Sequence, residues 1–227
     1  MSISLQKNYD LAGSGQAVRN RVLRNTYWLL ALSMIPTVLG AVIGVQMHLQ
    51  IFNGMMGLVL FMIVAYGFIF AIEKNKDSGL GVGLLLGFTF MMGLMLTPLL
   101  TRTLGYSNGG MLIMTAFGGT ATIMAVMASI ATVSKRDFSM VGKWAFAGAI
   151  VLILGGIANM FFQVALFAVV LSVMAVAIFS AFLLFQVQQV VNGGETNYVS
   201  ATLSIYLSLY NIFSNLLALL GLGGSRD

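Results

Sequence analysis

The sequence predicts an all-α polytopic membrane protein, a seven-transmembrane-helix bundle with its last helix central, and three observations carry that reading. Of 227 residues, 59% are hydrophobic and only 7% charged, whereas about a quarter of an average soluble domain is charged, so a water-soluble fold is excluded. The apolar residues fall in runs of about 20, the length a helix needs to cross hydrocarbon roughly 30 Å thick. The basic residues, finally, are segregated to alternate loops, as cytoplasmic retention of Lys and Arg requires.

Residues 1–25 read as a polar cytoplasmic tail, with Lys7, Arg19, Arg21 and Arg24 ahead of an apolar run that lacks a small-residue cleavage site. That run is expected to remain in the mature protein as a helix. Residues 26–223 then form one transmembrane domain, with spans near 27–47, 51–72, 79–101, 109–133, 143–162, 164–190 and 200–222. Two junctions have almost no polar linker, at His48 to Gln50 and at Ala158 to Gln163. Merging either pair would give an apolar helix about twice as long as a bilayer needs, so tight turns and seven spans are preferred, with six as the alternative.

Nine of the eleven basic residues fall on one side of this arrangement, leaving only Arg102 and Arg226 on the other. The N-terminus is therefore expected to be cytoplasmic and the C-terminus periplasmic or extracellular. Scattered through short loops, these charges make no stripe for nucleic acid. Pro36 and Pro98 lie inside apolar runs, where each removes a backbone donor and is expected to bend its helix. Gly40 and Gly44 in the first span, and Gly79, Gly83 and Gly87 in the third, recur every four residues and predict close helix approach. The string GLGVGLLLG follows no strand, which excludes a nucleotide-binding loop.

Polar residues within the bilayer are costly, so those that persist are the candidates for function. Ser200, Ser204, Ser208, Asn211 and Asn215 share one face of the last span, beside Tyr206 and Tyr210. Turned inward, that face places the last span at the centre of the bundle. Gln186 and Gln189 share a face of the sixth span and are positioned to hydrogen-bond it, while Thr115, Thr122 and Ser129 in the fourth are expected to complete a polar interior. Such groups either glue helices together, at about 0.6 to 2 kcal/mol each, or line a path for a substrate or ion.

All six acids lie in loops, termini or span edges, which disfavours a pump built on a buried carboxylate. The chain has no cysteine, one histidine and no HExxH motif, and no lysine lies in the last span. Thiol chemistry, zinc or serine intramembrane proteolysis and a retinal Schiff base are excluded accordingly. No catalytic group, cofactor or metal site is assigned, and the protein is not expected to be an enzyme.

The segments FQVQQVVNGGETNYVSATLSIYLSLYNIFSNLLALLG, SKRDFS and VLRNTYWLLAL resemble the Bax inhibitor-1 family of seven-span proteins, and within it the bacterial YccA branch. GGETNY followed by SLYNIF is the specific part of the match. The resemblance implies a bundle in which six spans surround the last. In many relatives a pH-sensitive calcium leak is governed by two aspartates that share a proton. The matching positions here are Gln186 and Ser208, which can hydrogen-bond but neither titrate nor attract Ca²⁺ by charge. Glu195 and Asn197, in the GGETNY loop, are read as a cytoplasmic cap or partner contact. The YccA branch is associated with the membrane-anchored AAA protease FtsH, so the resemblance implies a regulator of membrane-protein quality control, with a calcium or cation leak channel as the alternative.

Overall fold

The structure is a computed structural model that describes residues 2–49 and 54–222. Among these, the regular elements are eight α-helices: α1 (Ser2–Gln46), α2 (Gly54–Lys74), α3 (Gly79–Met95), α4 (Thr97–Leu104), α5 (Gly109–Val133), α6 (Ser139–Phe162), α7 (Ala165–Asn192) and α8 (Tyr198–Leu222). The polar N-terminal segment continues the backbone of α1, whose apolar portion is Val18–Gln46. By length and composition, five helices among the described residues can cross a membrane: the apolar part of α1, then α5, α6, α7 and α8. Taken together as one bent span, α3 and α4 make a sixth. The start expected for the second span, at 51, lies outside the described residues.

The junctions follow from local chemistry. At the end of α1, His48 adopts a left-handed conformation with φ 50°, and Leu49 N–H donates to the Gly44 carbonyl. Gln163 has the same φ at the end of α6. There Asn159 stops the helix twice, its carbonyl accepting from Gln163 N–H and its Oδ1 from Val164 N–H. The third expected span breaks at Leu96, where α3 and α4 meet at 41°. Pro98 has no N–H to offer the Leu94 carbonyl four residues back, and the Thr97 hydroxyl takes its place at 2.6 Å. Pro36, by contrast, is accommodated within the unbroken α1.

Helix α8 packs against α1, α2, α3, α4, α5 and α7, whereas among the described helices α6 touches α7 alone. Burial tells the same story: eleven residues of α8 are buried and only Gly142 and Ala145 of α6. Outward-facing positions are largely apolar, including Ile35, Val38, Phe117, Ile150 and Leu154. A surface of that kind is stable against hydrocarbon and not against water.

Two expectations about faces are corrected. Gly40 and Gly44 do permit close approach, lying against the Phe90 carbonyl and the Thr97 hydroxyl, and Gly93 of α3 lies reciprocally on the Thr37 carbonyl. Gly79 and Gly83, however, face open space, and Gly87 makes only ordinary contact with Phe68. The close approach at that end belongs to Gly81, seated over the Asn75 carbonyl. Thr115, Thr122 and Ser129 do not complete a polar interior either: all three are exposed and donate to their own helix at Met111, Gly118 and Ala125. A hydroxyl that satisfies itself four residues back can face lipid at little cost.

Candidate functional site

The polar face of α8 meets α7 at one direct side-chain contact. Ser208 Oγ donates to Gln186 Oε1 at 2.8 Å, with both residues buried. The geometry is that of a neutral pair sealed by apolar neighbours, since Leu183, Val187, Ile205 and Ile212 are buried on the same two helices. Removing either partner strands the other, so Gln186→Leu and Ser208→Ala should each cost roughly 1 to 2 kcal/mol. In unfolding titrations the double variant should recover a coupling of about 0.6 to 1.7 kcal/mol; strict additivity would show that the pair contributes nothing.

The other predicted members of this face are spread over different surroundings. Asn211 and Asn215, both half-buried, give their amide N–H groups to the Leu207 and Asn211 carbonyls of their own helix. Ser204 is half-buried and takes no side-chain hydrogen bond among the described residues. Gln189 does not reach α8; its side-chain carbonyl lies over Gly194. On the opposite side of α8, Tyr206 is fully enclosed, its hydroxyl 2.8 Å from Thr37 Oγ1 of α1 and 3.4 Å from the Thr89 carbonyl of α3.

At the start of α8, Asn197 is a structural hub. Its Oδ1 accepts from Val199 and Ser200 N–H, capping the helix, while its Nδ2 donates to Asp77 Oδ1 and the Lys76 carbonyl in the α2–α3 loop. Glu195 turns inward along the chain, Oε1 accepting from Asn197 N–H. The preceding Gly193, at φ 78°, ends α7 in the left-handed form that glycine adopts most readily. Glu73 binds both Ser200 Oγ at 3.0 Å and Lys76 at 3.2 Å. That partner holds the Lys76 ammonium above its ordinary pKa. Asn197 therefore joins the loop to the α2–α3 loop and the start of α8, and Glu195 braces Asn197 from within the loop.

Sequence reasoning passed over Gln188, which the structure makes prominent. It is buried on α7 and clamps the loop between α5 and α6, Oε1 accepting from Phe138 N–H at 2.8 Å and Nε2 donating to the Arg136 carbonyl at 2.6 Å. In the same loop, the Ser139 hydroxyl and N–H both donate to Asp137, holding its carboxyl below the usual carboxylate range, with Lys143 adding a smaller pull.

Among the described residues twelve polar residues are buried, and none of these twelve carries an ionisable acid or base. Among the described residues no group of three His, Cys, Asp or Glu side chains could hold a metal ion. What this interior can do chemically is donate and accept hydrogen bonds without exchanging protons with solvent at neutral pH.

Residues 19–226 match the family described as "Inhibitor of apoptosis-promoting Bax1". The chain belongs to the Bax inhibitor-1 family. It is 35% identical over 208 residues to the Escherichia coli K12 protein named "Modulator of FtsH protease YccA", covering 92% of each chain. The likeness to an uncharacterized protein of Pseudomonas aeruginosa is also 35%, over 206 residues and 91% of each chain. A Neisseria meningitidis serogroup A protein, likewise uncharacterized, matches at 35% over 89% of this chain and 91% of its own. A second Escherichia coli relative at the same identity is named "Inner membrane protein YccA".

Proposed function

We propose that this chain is a non-enzymatic regulatory protein of the bacterial inner membrane, which associates with an FtsH-type AAA protease and modulates its turnover of membrane proteins. It crosses the bilayer seven times, with the N-terminus cytoplasmic. In this reading α2 supplies the seventh span: its 21 residues rise about 30 Å at 1.5 Å each, and Ile63, Tyr66 and Phe70 are exposed for lipid.

The observation that carries the proposal is the likeness to a named FtsH modulator along nearly the whole length of both chains. The neutral interior supports it: with Gln186 and Ser208 hydrogen-bonded and no carboxylate among the buried described residues, a proton-operated gate has no titrating group at this pair to work with. Purification in mild detergent from cells whose FtsH is proteolytically inactive should enrich that protease with the tagged chain. Recovery no higher than from an unrelated tagged seven-span protein would sink the proposal.

A second reading, a pH-insensitive calcium or cation leak, draws on Ser204, Asn211 and Asn215, which stand half-buried along α8. Liposomes loaded with a calcium dye should then show flux that is flat across about pH 6 to 8, where neither an amide nor a hydroxyl titrates. Replacing Asn211 with Leu should reduce it. Flux equal to that of empty liposomes removes this alternative and leaves the regulator.

A further inference from the structure

We propose that the 134–138 loop and the first turns of α6 form a built site for the headgroup of an anionic phospholipid. The loop carries Lys135 and Arg136, and Lys143 follows in α6, all three exposed. One acid lies among them, Asp137, and both Ser139 donors already occupy it. Among the described residues the one ion pair is that of Lys76 with Glu73, away from this loop. With three cations against the one carboxylate of Asp137, which feels Lys143, the cluster keeps a net positive charge.

Two features separate this cluster from a mobile run of surface charge. Gln188 fixes the loop backbone through two hydrogen bonds made from a buried position. The Phe185 ring packs on Gly142 so tightly that a side chain there would overlap it, which seats the start of α6 on α7. The Lys and Arg side chains thus project from a backbone that is held in place before any ligand arrives, and pre-organisation lowers the entropic cost of binding.

The choice of a lipid follows from what lies beside the charges. Met140 and Trp144, one helical turn apart, are 67% and 73% exposed on the face of α6 that also bears Lys143. A free phosphate or an acidic peptide would engage the cations alone and make no use of the apolar face beside them. An anionic phospholipid satisfies both, its phosphate at the loop and its acyl chain along the Met140 and Trp144 side, with the indole at headgroup level. Because α6 contacts α7 alone, a lipid has unobstructed access.

The chain has two tryptophans, so in a Trp28→Phe background Trp144 becomes a local reporter. The full-length protein is reconstituted in phosphatidylcholine vesicles at low salt, and Trp144 fluorescence is quenched with brominated phosphatidylglycerol or brominated phosphatidylcholine. Phosphatidylglycerol should be preferred by about fivefold, which corresponds to the ~1 kcal/mol that one basic residue gains at an anionic surface. Replacing Lys135, Arg136 and Lys143 together by Gln touches only exposed side chains and should bring the ratio to about one. The Gln188→Met variant keeps every charge and releases the loop, and it should lose most of the preference. Equal quenching by the two lipids in the parent would overturn the proposal, as would a preference that survives the triple replacement. A preference undiminished in Gln188→Met would reduce the effect to diffuse attraction and overturn the claim of a built site.

Discussion

Replacing Gly93 by Ala should cost the bundle about 3 kcal/mol, the upper part of the range for overpacking, because the added methyl meets backbone that cannot move aside. At Gly93 a Cβ would overlap the Thr37 carbonyl, and at Gly40 it would overlap the Phe90 carbonyl, so α1 and α3 touch main chain to main chain along this seam. A rotamer change relieves neither clash; only separation of the helices does. In lipid no water-driven term holds helices together, and tight packing of small residues is the principal attraction, so separation forfeits most of what joins α1 to α3. Gly83→Ala is the control, since that site is open and alanine is the better helix former by about 0.5 to 1 kcal/mol. Thermal unfolding in detergent should show a lowered Tm for Gly93→Ala and Gly40→Ala and none for Gly83→Ala. Equal behaviour of Gly83 and Gly93 would show that the seam does not bear on stability.

That pairing also shows what the sequence conveys and what it withholds. Period and length are local, and they place elements well: the apolar run at 109–133 coincides with helix α5, because polar residues bracket it at Asn108 and Ser134. Which way a face points is not local. Gly79, Gly83 and Gly87 repeat as regularly as Gly40 and Gly44, and Thr115, Thr122 and Ser129 repeat as regularly as the polar line of α8. Spacing says only that residues share a side, and whether a neighbour lies there depends on helices distant in the chain. The contact of Gln186 with Ser208 was foreseeable because both residues lie on polar faces of consecutive helices.

Gln188 was harder to find, since its partners are backbone groups of Arg136 and Phe138, some 50 residues earlier, which no side-chain pattern marks. A weaker signal did exist in FQVQQVV. Three glutamines at one end of a spanning helix cannot all occupy one face, so the third needs a partner of its own. The break at Leu96 lay within reach in the same way: Pro98 announces a missing donor, but only the Thr97 hydroxyl on the Leu94 carbonyl shows how the chain absorbs it.

The seam between α1 and α3 continues into α8 through a single side chain, and Tyr206→Ala is expected to be the most damaging single truncation in the bundle. Tyr206 is among the largest side chains that are fully buried. Its ring meets Phe88 edge-on at 6.5 Å and Tyr210 at 6.3 Å, and its hydroxyl joins Thr37. Truncation removes an aromatic ring from between three helices, and losses of about 3 to 5 kcal/mol are usual for such cavities. Tyr206→Phe keeps the ring and gives up only the hydroxyl contacts, so it should cost about 1 kcal/mol. Thr37 already donates to the Ser33 carbonyl and is not stranded by that change. The two variants therefore divide shape from hydrogen bonding at one position. A loss for Tyr206→Phe as large as that for Tyr206→Ala would mean that the Tyr206–Thr37 bond, and not packing, holds α8 against α1 and α3. With the expected ratio, α1, α3 and α8 form a unit held by close packing, and α7 packs against it through Leu183, Val187 and Val190, with the neutral hydrogen bond of Gln186 and Ser208 sealed in that interface. A movement of α7 that separates Gln186 from Ser208 breaks that bond, at a cost that does not change with pH because neither side chain titrates in the physiological range.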